Sequence, residues 1–279
     1  MSDKVTISIL GCGWLGFPLA TSLIAEGFHV RATTTTPAKL AVFEQTGIDP
    51  YLVQFSSHGE QPDLKNLFAA DILIIAIPPG RRDPAGFENY REMIKQVCSC
   101  LPGSRVSRII YISSTAVYSD NNSIVDDYTD VAPESESGKL IVEAEALLRQ
   151  QNISLVLLRL SGLIGPGRMP GKFFAGRSEI PDGLAPVNLI HLDDVIAIIR
   201  YFVLNPKTAG VYNACAPSHP DRASFYTLAA RKEGLPLPQF ILEKEKWKII
   251  ASRRLKAETD YNFKVPSLMN WLNSLREDR

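Results

Sequence analysis

The feature that most restricts this chain lies at its start. The apolar run Val5–Leu10 passes without a break into Gly11-Cys12-Gly13-Trp14-Leu15-Gly16. The run is too short for a helix and reads as a buried strand. Phe17 to Glu26 reads as a helix stopped by Gly27, and His29–Thr33 as a second strand. Strand, glycine turn, helix and strand within about 30 residues make a β-α-β unit, which commits the chain to a parallel sheet.

The pattern continues. Ile72–Ile77 is a continuous apolar run ended by Pro78-Pro79-Gly80, expected as a strand buried on both faces. Glu88 to Cys100 reads as a helix, Arg108–Ser113 as a strand, and Ser137 or Gly138 to about Gln150 as a helix striped by Leu140, Ala144 and Leu147. Ser154–Leu160 is the next strand, a helix spans about Val195–Leu204, Val211–Asn213 reads as a late strand, and Phe225–Glu233 as a helix. The fold class expected is α/β: a doubly wound Rossmann sheet with a small C-terminal α+β lobe. Residues 1–165 form the dinucleotide-binding domain, with 187–216 returning to it. Residues 166–186 and 217–279 form the substrate-side lobe.

With 279 residues and 45% hydrophobic content the chain can fill one such domain and a lobe. A formal net charge of +0 gives no general nucleic-acid surface. Basic residues from Lys244 to Lys256 are interrupted by Glu243, Glu245 and Glu258 and read as a solvated face. No apolar run reaches the roughly 18–20 residues of a membrane span. The N-terminus lacks a signal-peptide layout, so the expected location is cytoplasmic. Cys98 and Cys100 are separated by one residue, not by the two of a redox or zinc pair, and Cys12 lies inside the glycine turn. No metal site is expected, and the cysteines read as small buried hydrophobes in a reducing compartment.

Gly11, Gly13 and Gly16 form G-x-G-x-x-G between strand and helix, which is where a dinucleotide pyrophosphate sits. The first glycine permits the tight turn, the second lets backbone approach phosphate, and the third lets helix and strand pack closely. The helix N-terminus, around Trp14 and Leu15, is expected to offer backbone N–H groups and the positive end of its dipole to phosphate. NAD-selective sites place Asp or Glu about 20 residues further on, against the ribose 2′-OH. Here that stretch reads Arg31-Ala32-Thr33-Thr34-Thr35-Thr36, without a carboxylate. Hydroxyls of Thr34 and Thr35, with Lys39 nearby, suit a 2′-phosphate. The expected cofactor is NADP or NAD, with NADP favoured. Ile77, Pro78 and Pro79 end a strand where such a fold opens onto its cofactor, and Arg81 and Arg82 follow as candidates for an anionic group.

Three later segments carry a resemblance. Ile112-Ser113-Ser114-Thr115-Ala116-Val117-Tyr118 resembles the fifth-strand signature of extended short-chain dehydrogenase/reductases. Leu158–Gly167 resembles their sixth strand, and Val187–Val195 their late signature. With the glycine turn, the pattern is similar to the NAD-dependent epimerase/dehydratase family, and within it to an atypical bacterial group labelled YeeZ-like. The resemblance implies Ser113 at the cofactor, Ser114 as the substrate-orienting serine, and a loop over the substrate that carries Arg168, Lys172 and Arg177. It also implies a small-molecule or nucleotide partner, and a homodimer through the helices Glu88–Cys100 and Gly138–Gln150.

The departures matter more. The family places Tyr and Lys four apart on one helix face; the Lys lowers the phenol pKa so that it exchanges a proton with substrate. In Pro133-Glu134-Ser135-Glu136-Ser137-Gly138-Lys139-Leu140-Ile141, one register puts Ser137 and Ile141 at those positions, another Ser135 and Lys139. Both lack the Tyr, and serine does not replace it without an adjacent base. Tyr118 and Tyr128 are the nearest phenols, and Tyr118 is kept with Arg168 and His191 as a substrate-side candidate. His191 also reads as a packed histidine, and Asp193-Asp194 as helix caps. Two functional classes follow: an oxidoreductase, epimerase or dehydratase with non-standard proton transfer, and an inert NADP(H)-binding sensor or scaffold. A third, a 3-hydroxyacid dehydrogenase, needs a largely helical second half, against which the strand Ser154–Leu160 argues.

Overall fold

A computed structural model describes residues 4–55, 64–80 and 84–275. Its elements, in chain order, begin with β1 (Thr6–Leu10), α1 (Gly16–Ala25), β2 (His29–Thr34), α2 (Leu40–Gln45), β3 (Asp49–Leu52), α3 (Lys65–Phe68), β4 (Ile72–Ile75), α4 (Pro84–Cys100), β5 (Arg108–Ser114), β6 (Ser123–Val125) and α5 (Glu136–Arg149). There follow β7 (Ser154–Leu160), β8 (Gly162–Ile164), β9 (Leu189–His191), α6 (Leu192–Leu204), β10 (Gly210–Ala214), α7 (Arg222–Lys232), β11 (Lys248–Ile250), α8 (Arg253–Thr259) and α9 (Leu268–Ser274).

Seven strands form one sheet in the order β10-β7-β5-β4-β1-β2-β3. The pairs from β5 across to β3 run parallel. From β1 the order runs outward through β2 and β3, and from β4 it runs the other way. The switch point of the Rossmann fold therefore lies between β1 and β4. The α/β expectation holds. β4 is buried at every residue, and β1 likewise, as strands sandwiched by helices must be. Fully burying each such Ile or Leu is worth roughly 1.5–3 kcal/mol.

Two compact units are present. One comprises Met1–Val117, Pro133–Leu158 and Ile198–Val211; the other comprises Tyr118–Ala132, Arg159–Ala197 and Tyr212–Arg279. The second unit has its own core, including Phe225, Tyr226, Leu268 and Leu272, and two small ribbons, β8-β9 and β11-β6.

At the N-terminal ends of the first unit's strands, polar groups are closely answered. Asp71 accepts from the Thr6 N–H at 2.8 Å and from the Arg105 guanidinium at 2.8 and 3.0 Å. Arg108, buried, donates to the carbonyls of Pro206 and Thr208 at 2.6 Å and to the Ser154 hydroxyl at 3.1 Å. It thereby collects carbonyls in the turn that follows α6. Arg31 donates to the carbonyls of Asn66 and Ala69, at the end of α3.

Helix boundaries differ from the sequence expectation in an informative way. α4 begins at Pro84 rather than Glu88, because proline suits a first helical turn. α6 begins at Leu192, so Asp193 and Asp194 lie inside its first turn. Asp194 is fully buried and binds elsewhere: it accepts from the Tyr261 hydroxyl at 2.7 Å and from the N–H groups of Lys264 and Val265 at 2.6 and 3.1 Å. Its carboxylate holds a distant loop in place rather than only capping its own helix.

Candidate functional site

The C-terminal ends of β1, β2, β3 and β4 surround a cavity of about 460 Å³. Gly11, Cys12 and Gly13 line it beyond β1. Thr33 to Thr36 and Lys39 line it from β2 onward, and Ala76, Ile77 and Pro78 from beyond β4. Of the sequence candidates, Gly11, Gly13, Thr34, Thr35, Ile77 and Pro78 are thus brought together. Trp14, half-buried, and Leu15 and Gly16, buried, lie where the turn enters α1; Pro79 stands beside the rim. Arg81 and Arg82 lie outside the described residues.

The glycines differ in purpose. Gly11 has φ +96°, and a Cβ there would stand 2.7 Å from Ile77 Cγ1. A Cβ on Gly16 would strike the Gly11 carbonyl oxygen. These two are required by the fold itself. A Cβ on Gly13 would meet nothing within 4 Å. The second glycine therefore has no packing reason to be glycine, and the space above it is open. α1 has Leu15 at its N-cap and no side-chain cap, so its first-turn donors are not closed off by a side chain. The Gly11 and Cys12 N–H groups are already engaged, by Thr33 Oγ1 and the Thr33 carbonyl, both at 2.9 Å.

The β2 end has a division of labour. Thr33 and Thr34 are buried, and Thr34 Oγ1 accepts from the Thr36 N–H at 3.1 Å. Thr35, Thr36 and Lys39 are exposed along the cavity. Lys39 also acts electrostatically on Cys12, although burial dominates there and pushes that thiol up to about 12. Cys12 is thus a protonated, inert wall.

Sequence reasoning missed the wall made by Val53, Gln54 and Phe55 after β3 and by Gly86, Asn89, Tyr90 and Met93 on α4. β3 is only four residues long and contains Pro50, so neither its length nor its residues announced a strand.

Ser113 and Ser114 end β5. Ile75 pairs with Tyr111, and continuing that register sets Ser113 level with Ile77. Ser113 is buried and donates to Glu145 Oε1 of α5 at 2.6 Å, so its hydroxyl turns to the helix rather than the cavity. Ser114 is half-buried; its Oγ accepts from the Ala116 N–H at 3.1 Å and keeps its own proton available. Ser135 is the N-cap of α5 and accepts from the Gly138 N–H at 3.1 Å. Ser137 is half-buried, 3.3 Å from the Ser135 hydroxyl. Ile141 lies in the core, whereas Lys139 is exposed and pairs with Glu136 at 2.7 Å. Of the two registers, only the one through Ser135 and Lys139 keeps a lysine at the second position.

The remaining candidates belong to the second unit. Tyr118 is buried; its hydroxyl accepts from Arg159 at 2.8 Å and meets Asn213 Oδ1 at 2.9 Å. Burial raises that phenol against the opposing pull of Arg159, so Tyr118 is a packed structural phenol, as its signature implies. His191 is buried, accepts from the Asp193 N–H at 3.2 Å and packs edge-on against Trp271 at 5.2 Å. Burial lowers its pKa against the pull of Asp193 and Asp194, leaving a neutral packed ring. Arg168 sits in a tight turn, its N–H on the Gly165 carbonyl at 2.9 Å, and Arg177 lies over the Phe174 ring at 5.4 Å. In the basic C-terminal segment Arg253 pairs with Asp126, Arg254 with Glu258, and Lys244 covers Trp247. Among the described residues no helix is long and apolar enough to cross a membrane.

Comparison with known proteins agrees with this architecture. Residues 7–215 match the NAD dependent epimerase/dehydratase family. Protein YeeZ of Escherichia coli (strain K12) is 40% identical over 265 residues, covering 93% of this chain and 96% of that protein. A functionally unknown conserved protein from Silicibacter pomeroyi DSS superposes with a TM-score of 0.77 at 25% identity, covering 98% of this chain and 100% of that one. A UDP-glucuronic acid 4-epimerase from Bacillus cereus, solved with NAD, superposes with a TM-score of 0.79 at 19% identity, covering 98% of each chain. A glycine turn on a parallel sheet, the β5 serines and a match across most of the length lead to one assignment: this chain belongs to the NAD dependent epimerase/dehydratase family.

Proposed function

We propose that the chain binds NADP(H), and NAD(H) less well, and acts as an oxidoreductase, epimerase or dehydratase on a small polar or sugar-like substrate. The observation that carries this reading is the open space over Gly13 at the uncapped start of α1. Backbone donors there hold a diphosphate, while Thr35, Thr36 and Lys39 face a 2′-phosphate, with no carboxylate on that stretch to repel it. The bound nicotinamide would supply hydride transfer. Ser114 orients a substrate oxygen with its free proton, and in the register through Ser135, Lys139 takes the family's lysine position. The sugar nucleotides of relatives such as the UDP-glucuronic acid 4-epimerase indicate the class of substrate to try first.

One observation favours a second reading. A serine N-cap stands where a phenol is needed for proton transfer, which suits a protein that binds NADP(H) without turnover. One experiment separates the two. Calorimetric titration with NADPH and NADH is followed by absorbance at 340 nm against nucleotide sugars and small ketones. Turnover abolished by Ser114→Ala supports the enzyme, and tight binding without turnover supports the sensor. Failure to bind either dinucleotide defeats both. A homodimer through α4 and α5 is part of the proposal, and light scattering on the purified protein decides it.

A further inference from the structure

We propose that Glu145 is a positioning residue that, acting through Ser113, fixes the strand end carrying Ser114. The proposal rests on reading that strand end as the substrate-side rim of the dinucleotide site. Glu145 lies on the inward face of α5 beside Ala144 and Leu148, and is 3% exposed. A helix packed on a sheet ordinarily presents an apolar side chain there, because a carboxylate loses its hydration on burial. Glu145 instead receives the Ser113 hydroxyl at 2.6 Å, with Ser113 itself 4% exposed. Arg149, half-exposed, brings partial countercharge at 3.9 Å.

The same helix meets the β5 turn at a second point. A Cβ on Gly138 would stand 2.5 Å from the Ala116 carbonyl oxygen, so the start of α5 is seated directly on that turn. Contacts at 113 and at 116 bracket Ser114, and both come from α5. The Glu145 charge also reaches the cavity wall. Tyr90, which lines the cavity, shares a close hydrogen bond with Tyr111 of β5. Burial foremost, with the Glu145 charge acting in the same direction, keeps both phenols protonated. One buried carboxylate thus serves both the Ser114 side and the Tyr90 side of the site. Stability alone does not require a charge in this position, since an apolar side chain of similar volume would fill it.

Amide hydrogen exchange of the protein without added nucleotide tests the claim. Ser113→Ala and Glu145→Leu should each speed exchange in residues 113–117 at least fivefold, while β1 and β2 stay within twofold of the original protein. Glu145→Gln, whose amide oxygen still accepts the Ser113 proton, should stay within twofold throughout. Unchanged exchange at 113–117 in Ser113→Ala overturns the proposal. So does equal acceleration across the whole sheet, or a Glu145→Gln profile like that of Glu145→Leu. If Glu145→Leu does not fold, Ser113→Ala and Glu145→Gln are enough to decide between these outcomes. Titration of the unaltered protein with NADPH is read separately: absence of binding defeats the cofactor reading, and the exchange comparison still decides the role of Glu145.

Discussion

The two rims of the first unit's parallel sheet are built on opposite principles. At the N-terminal rim, charged groups are matched with partners: Asp71 with Thr6 and Arg105, Arg108 with three carbonyl-bearing residues beyond α6, and Arg31 with the end of α3. At the C-terminal rim the strands end in glycine, threonine and proline around an open cavity, and the helix that starts there has no side-chain cap. One rim pairs its charged side chains with backbone and side-chain groups; the other borders an open cavity at a helix start that no side chain caps. In an open α/β sheet that difference separates residues kept for stability from residues kept for binding.

The contrast can be broken by substitution. Arg108→Ala should have the largest effect, because it strips donors from part-buried carbonyls and leaves a cavity where a buried side chain stood. We expect a loss of about 3 kcal/mol, seen as a lower chemical-denaturation midpoint, with NADPH affinity of the folded protein within twofold. Gly13→Ala should do the reverse. Its methyl meets nothing in the protein, so the unfolding midpoint should hold within about 2 °C while dinucleotide affinity in calorimetry falls about 100-fold, or roughly 2.7 kcal/mol. A loss of stability in Gly13→Ala would erase the distinction between the rims.

Lys39→Ala sharpens the picture within the binding rim. NADPH affinity should fall about tenfold, roughly 1.4 kcal/mol, with NADH affinity unchanged in the same assay. Equal losses for both would remove the case for a 2′-phosphate contact. The smallest effect concerns acid. Burial pushes the Asp71 carboxyl up, but the Thr6 N–H and the Arg105 guanidinium together outweigh it and hold it below its ordinary value of 3.8. A lowered carboxyl contributes stability above that ordinary value and loses it as pH falls through the folded one. Asp71→Asn should therefore flatten the acid limb of the stability curve below about pH 4. Because Asp71 and Arg105 are partly exposed, the change should be under about 1 kcal/mol.

Much of this is legible in the chain because period and punctuation agree there. Val5–Leu10 with its glycines, Ile72–Ile77 with its prolines, and Ser154–Leu160 announce buried strands, and the sheet follows. The cavity floor is legible for the same reason, since Gly11, Gly13 and Ile77 sit at strand ends. The wall from Val53 to Phe55 is not, because a four-residue strand with a central proline carries no periodic signal. Resemblance alone assigns the Ser113 hydroxyl to the cofactor, whereas its partner, Glu145, lies 32 residues away and only the packed helix reveals it. Asp194 reads as a cap because local sequence points to the nearest helix; its donors, at 261, 264 and 265, are remote.

That last contact has a bearing on how the molecule is made. Until Lys264 and Val265 have left the ribosome, the carboxylate at 194 has neither of their N–H groups to answer it. The second unit therefore lacks this anchor until residue 265 has emerged, and a nascent chain halted before residue 260 should stay open to proteases around the start of α6.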